Sequence, residues 1–158
     1  MRKFFLGFGV VMAFLVGAGA VGFFLLARNG TALDAESNAY VQNSVETITG
    51  DWNADELWKR STAHFRQLTK EEDLRAFFNV ASGTLGRLVE YRGAQGQATI
   101  SISNVGNSAT ANYDAKVTFE KGDADILIAA IKNGSEWRIE GFHISSTALM
   151  RSLVGQRS

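Results

Sequence analysis

The chain contains no cysteine and no proline, and only two histidines. Without cysteine there is no disulfide, no thiol nucleophile and no thiolate metal site. Without proline there is no proline kink and no prolyl cis peptide. His64 and His143 fall in different expected elements, so no metal ligand set is expected from them. Asp123 and Asp125 flank Ala124 at a turn, but no further oxygen ligand is near in sequence, and the pair reads as a solvated hairpin end. Charge of one sign is missing as well. Sixteen basic and sixteen acidic residues cancel, and with Arg2 and Lys3 set aside the remainder carries a net −2 without a basic cluster. That balance argues against nucleic acid as a partner. Gly93, Gly96 and Gly106 read as loop glycines, without the strand–glycine–helix order of a phosphate cradle. No Ser–His–Asp or lysine-based nucleophile arrangement stands out. No cofactor is therefore expected.

What is present, before anything else, is one uncharged apolar run from Phe4 to Ala27, with Arg2 and Lys3 before it and Arg28 after. As a helix it would span roughly 36 Å, enough to cross a hydrocarbon layer of about 30 Å with some tilt. Ala18-Gly19-Ala20 has the small-x-small form of a signal-peptidase site, but the apolar stretch continues through Val21 to Ala27 and exceeds the usual h-region. The expectation is an uncleaved single-pass anchor over 4–27. Arg2 and Lys3, over residues 1–3, place its leading end in the cytoplasm. The remainder then lies outside the cytoplasm, anchored in the inner (cytoplasmic) membrane and facing the periplasm in a Gram-negative source. Gly9, Ala13 and Gly17 recur every four residues, a small-residue face through which two such helices could self-associate.

Residues 28–34 read as a linker, 35–147 as one folded domain and 148–158 as a tail. Asp34 is placed to cap a first helix in which Val41, Val45 and Ile48 share a face and Gly50 is the stop. Asn53 with Glu56 opens a second helix, and Thr69 with Glu72 a third. The third carries Leu74, Phe77, Phe78, Ala81 and Leu85 in one stripe. From Arg87 onward the period falls from 3.6 to 2. Asn133-Gly134 is the strongest hairpin signal. Closing Lys132 on Ser135, Glu120 on Asp123, Ser103 on Ser108 and Arg92 on Gln97 gives a five-strand antiparallel meander. In that register Ala124 stands opposite His143. One face holds Val89, Tyr91, Ala98, Ile100, Ile102, Tyr113, Val117, Phe119, Ile126, Ile128, Trp137 and Ile139. The other holds Glu90, Thr99, Asp114, Lys116, Glu136, Arg138 and Glu140, interrupted by Leu127 and Ile131. The fold class expected is α+β: three helices covering the dry face of a curved antiparallel sheet.

The stretch from Trp137 to Ile144, together with Asp51-Trp52-Asn53-Ala54 and Phe119-Glu120-Lys121-Gly122, resembles bacterial members of the nuclear-transport-factor-2-like (cystatin-like cone) superfamily with no assigned function. The resemblance covers roughly residues 35 to 147. It implies a pocket between sheet and helices, on a fold that hosts isomerases, dehydratases, ligand binders and assembly subunits. A membrane helix ahead of such a domain is also similar to the VirB-eight-type components of bacterial secretion machines, which act by protein contacts.

Candidate site residues follow from the inward face. It offers Tyr91, Tyr113, His143 and Trp137 to a ligand, and no carboxylate for a buried general base. Trp52 and Trp58 suit packing at a helix entry. The apolar positions Leu149, Met150, Leu153 and Val154 give the tail a patch that folds back or docks a partner. The function expected is a membrane-anchored, non-catalytic module that binds a protein or a small ligand. The alternative is a small-molecule isomerase or hydrolase in which His143 acts against Tyr113 or a helix carboxylate.

Overall fold

The computed structural model describes residues 31–155. The apolar run 4–27 with its Gly9, Ala13 and Gly17 face, the Ala18–Ala20 site and residues 28–30 of the linker lie outside the described residues. Among the described residues no helix is long and apolar enough to cross a membrane. In chain order the elements are α1 (Thr31–Gly50), α2 (Ala54–Arg60), α3 (Ala63–Leu68), α4 (Glu71–Leu85), β1 (Leu88–Ser103), β2 (Gly106–Phe119), β3 (Gly122–Asn133), β4 (Glu136–Ser145) and α5 (Thr147–Gly155). Helices gathered ahead of an antiparallel sheet make this an α+β fold.

The helices differ from expectation at their ends. Helix α1 begins three residues before Asp34, whose carboxylate instead accepts the Ala98 amide at 2.8 Å. That bond satisfies one donor on the free edge of β1. Val41, Val45 and Ile48 are buried together as expected. Asn53 caps α2, its side chain accepting the Glu56 amide at 3.1 Å. The chain then breaks at Ser61, which forms a parallel bridge to Ile139, and the Thr62 amide donates to the Ile139 carbonyl at 2.9 Å. Thr62 next accepts the Phe65 amide and opens the short α3, an element not expected from the sequence. Thr69 closes that helix rather than opening α4, whose N-cap is Lys70 without a side-chain bond. Three acidic residues in its first turn, Glu71, Glu72 and Asp73, favour the positive end of the helix dipole instead.

Four strands, not five, form a meander in the order β1-β2-β3-β4. The expected turn between Arg92 and Gln97 is absent. β1 runs through that stretch as one strand and absorbs the extra residues in irregularities at Leu88–Glu90 and Tyr91–Ala94. Each of the three hairpins closes two positions away from the expected pairing: Ser103 meets Gly106, Phe119 meets Gly122 and Asn133 meets Glu136. A slip of two preserves the faces. Tyr113, Val117, Phe119, Ile126, Ile128, Trp137 and Ile139 are therefore all buried on the inward side, as expected. Val89 is not: it occupies the first irregularity and is exposed, and Leu88 packs on the core in its place.

One bulge does change a face. Ala130 pairs with Ile139 and Ala129 with Gly141, so Glu140 is the extra residue and β4 is turned over beyond it. Phe142 and Ile144 then stand opposite Ile128 and Ile126, and His143 stands opposite Leu127. Ile126 and Ile128 are buried while Leu127 is exposed. His143 is therefore on the outer face, not opposite Ala124 on the inner one.

The centre of the inward face is buried. Across it run Ala98, Ala111, Ala130 and Ile139, paired in one row, and the three alanines leave room for the N-terminal half of α1. The next row, Gly96, Tyr113, Ile128 and Phe142, sets a glycine beside a tyrosine ring. At the far end Trp52 stacks on Phe119 at 5.0 Å, meets Phe78 edge-on at 5.8 Å and donates its indole N–H to the Gly86 carbonyl at 2.7 Å.

Candidate functional site

Tyr113 and Trp137 are the two candidate residues that the fold brings under α1. The Tyr113 hydroxyl lies 2.8 Å from Ser37 Oγ, and both reach the Asp34 carbonyl oxygen, at 3.2 and 3.1 Å. Burial pushes the Tyr113 pKa up, against the opposing effect of the Ser37 bond, so the phenol stays neutral. Trp137 donates its indole N–H to Glu36 Oε1 at 2.9 Å, and Lys132 Nζ reaches the same oxygen at 2.5 Å. The Lys132 and Trp137 bonds hold the Glu36 pKa below its ordinary value. Tyr40 stacks on the Trp137 ring at 6.3 Å. Every polar atom of this pair is thus engaged in fastening the first half of α1 to β2, β3 and β4. None is left aimed at a ligand.

Tyr91 and His143 lie elsewhere. Tyr91 is half-buried further along β1, and its hydroxyl has no hydrogen-bond partner among the described residues. Burial raises its pKa, with Glu46 and Tyr113 adding to the effect. His143 shares the outer face with Asp114 and Leu127, paired side by side across the sheet. The four candidates do not converge on one site.

A different histidine does meet a carboxylate. Glu140, thrown out of the ladder by the bulge, accepts from Thr62 Oγ1 at 2.5 Å through Oε2, and its Oε1 is bonded to His64 Nδ1. The sequence sets these residues far apart, and regular alternation through β4 hides the bulge. Gly141 beside Glu140 is the one local signal for it. The cluster ties α3 to β4: Thr62 is already the N-cap of α3, and His64, 63 % exposed, covers a Glu140 side chain that is 18 % exposed. A histidine bonded to a carboxylate can relay a proton, yet Thr62 already accepts the Phe65 amide and Glu140 is held on two sides. Its arrangement is that of a brace. Among the described residues no group of three or more His, Asp and Glu side chains is placed to hold a metal ion.

Two surface depressions adjoin these elements. One, of about 400 Å³, runs between α1 and β1 and is lined by Asp34, Asn38, Gln42, Gly96 and Tyr113 among others. The second, of about 560 Å³, lies beside α3 and the start of α4 and is lined by Trp58, Arg66, Lys70, Glu71 and Arg75 among others. Both open to solvent, and neither takes in Tyr91, Trp137 or His143.

At the opposite end from the start of α1, α5 follows β4. Ser146 caps it, its hydroxyl accepting the Leu149 amide at 3.0 Å, and Leu149 is buried. Met150, Leu153 and Val154, at i, i+3 and i+4 spacing, are exposed. The tail therefore folds back through one residue and shows three others to solvent. No protein-family model matches this chain, and no curated protein is similar to it.

Proposed function

We propose that the chain is a single-pass, membrane-anchored domain of nuclear-transport-factor-2-like kind, outside the cytoplasm, that works by binding another protein and carries out no reaction. The observation that supports this most directly is the buried centre of the helix–sheet interface, while the depression between α1 and β1 lined by Gly96 and Tyr113 opens to solvent. Where a cone-shaped enzyme needs a pocket, Ile128, Ile139, Ala111 and Ala130 are buried, and Tyr113 and Trp137 bond their polar atoms to Ser37, Asp34 and Glu36 of α1. Of the isomerase or hydrolase alternative, in which His143 acts against Tyr113 or a helix carboxylate, the Tyr113 arm is disfavoured because the two residues are on opposite faces of the sheet.

A surface remains to do the work. The Met150, Leu153 and Val154 stripe lies at the end of the domain away from Thr31, and α1 alone spans about 30 Å of the intervening distance. An apolar stripe held at that distance from the anchored end suits an amphipathic helix or strand of a partner. The test is a photo-crosslinking residue at Leu153 in the full chain, expressed in its native membrane, with Thr110 on the outer face as control. The expected result is one discrete adduct from position 153, lost when Met150 is also changed to Asp, and none from position 110. Equal labelling from both positions, or none from 153, contradicts the proposal.

A further inference from the structure

The hairpin of β1 and β2 is longer than its neighbours, and its end is both apolar and uncovered. Ile100 and Ile102 face inward by register, with Ala109 and Asn107 opposite them, yet Ile102 is 81 % exposed and Val105 at the turn is 98 % exposed. The neighbouring hairpin stops short: Asn133, at its turn, pairs with Ser108, which pairs with Ser101, so residues 102–107 project past it. From Gly93 to Tyr113 the sequence has no charged residue. An exposed, uncharged, isoleucine- and valine-bearing tip is unusual for a hairpin end that must stay in water.

Its direction can be read from α1. Asp34 meets Ala98 and Trp52 meets Phe119 and Gly86, so α1 runs antiparallel to β1 and its first residue points along the hairpin toward the tip. Ala98 to Ser103 covers about 17 Å of strand, whereas Asp34 back to Thr31 covers about 4.5 Å of helix. The tip therefore passes the start of α1 by about 12 Å. Between Ala27, the end of the apolar run, and Thr31 lie only Arg28, Asn29 and Gly30. Four backbone steps reach at most about 14 Å even when fully extended.

We propose that the tip of this hairpin, carrying Ile102 and Val105, docks on the lipid bilayer next to the anchor. The inference rests on the reading of residues 4–27 as a membrane span. With that span in place, a tether of about 14 Å and an overshoot of about 12 Å bring Val105 to the headgroup layer. Val105 then meets the uppermost acyl segments, and Ile102, a step further from the membrane, lies with the serine and asparagine side chains among the headgroups. The domain is held by two points rather than one, which fixes its orientation and holds the α5 stripe away from the membrane.

Because the chain has no cysteine, a single one introduced anywhere is a unique spin-label site. The full-length protein is reconstituted in phosphatidylcholine–phosphatidylglycerol vesicles with a nitroxide on V105C, L153C or F14C. Collision with oxygen, which partitions into lipid, is compared with collision with a water-soluble nickel chelate. The expected result is an oxygen-to-nickel ratio several-fold higher at position 105 than at 153, and highest at 14. A ratio at 105 equal to that at 153, with 14 still immersed, overturns the docking and leaves the anchor standing. A water-exposed label at 14 overturns the anchor itself. Shielding of position 105 from both reagents, with spin–spin broadening that vanishes on dilution by unlabelled chain, assigns the tip to a second copy and overturns the lipid contact.

Discussion

Replacing Gly96 by alanine is expected to lower the unfolding free energy by about 3 kcal/mol or more, at the upper end of what overpacking costs. A Cβ built at Gly96 falls 2.0 Å from the Asn112 carbonyl oxygen and 2.8 Å from Tyr113 Cδ1. The first of those atoms is backbone of β2 and cannot yield without disturbing the β1–β2 pairing. The second belongs to a ring that is itself pinned by Ser37 and the Asp34 carbonyl. Gly83 provides the contrast. It sits in α4, a Cβ there meets nothing within 4 Å, and Gly83→Ala is expected to stabilise the protein by about 0.5–1 kcal/mol through helix propensity and backbone entropy. Urea denaturation of the two variants should move the midpoint in opposite directions at constant slope. Equal effects would mean that the Tyr113 ring does not lie over Gly96.

Trp52→Ala is expected to cost about 3 kcal/mol, the lower end of the range for removing a buried aromatic side chain, because Trp52 is only partly buried. The loss combines the Phe119 stack, the Phe78 edge contact and the hydrogen bond that ties the α1–α2 turn to the Gly86 carbonyl. Trp52 is also the one non-glycine residue with positive φ, at 51°, among the described residues. A left-handed backbone costs an L-residue about 1–2 kcal/mol, which glycine avoids. Trp52→Gly should therefore be no less stable than Trp52→Ala, despite the additional chain entropy of about 0.5–1 kcal/mol that glycine loses on folding. Thermal unfolding of the pair checks this. A glycine variant clearly weaker than the alanine one would remove backbone strain from the explanation.

Much of this fold can be read from periodicity, and the errors have definite physical origins. Alternation from Arg87 onward assigned the inward residues of β2, β3 and the first half of β4 correctly, because parity survives a slip of two. The turns did not specify whether Asn133 belonged to the loop or to the last pair, since both closures keep Ile128 and Ile139 inside. Bulges are the harder problem. Nothing in Ile139-Glu140-Gly141-Phe142 except the glycine marks the extra residue, yet that residue sends His143 outward and leaves Glu140 to brace His64 and Thr62. The same applies to β1, where Gly93 and Gly96 looked like loop punctuation and are strand residues. Gly93 has a φ of 107°, beside an irregularity in the ladder, and Gly96 makes room for a tyrosine. The six-residue α3 has little signal in the sequence because Thr62 has Phe65 rather than an acidic residue at the third position, so its cap lacks the reciprocal half. Of the candidate site, Tyr113 and Trp137 were correctly placed on the inward face. Their engagement with Ser37, Asp34 and Glu36 depends on where α1 crosses the sheet, which no local pattern specifies.

The reading of the domain as one that works at its surfaces depends on a solid interior, and Ala130→Leu tests that directly. Ala130 is 1 % exposed, between Ala111 and Ile139 in the row beneath α1. In a filled core three additional carbons have no place to go, and the expected result is a loss of about 1–3 kcal/mol at unchanged denaturant slope. Unchanged or increased stability would reveal vacant space beneath α1, and with it a pocket in which a small molecule could bind or react.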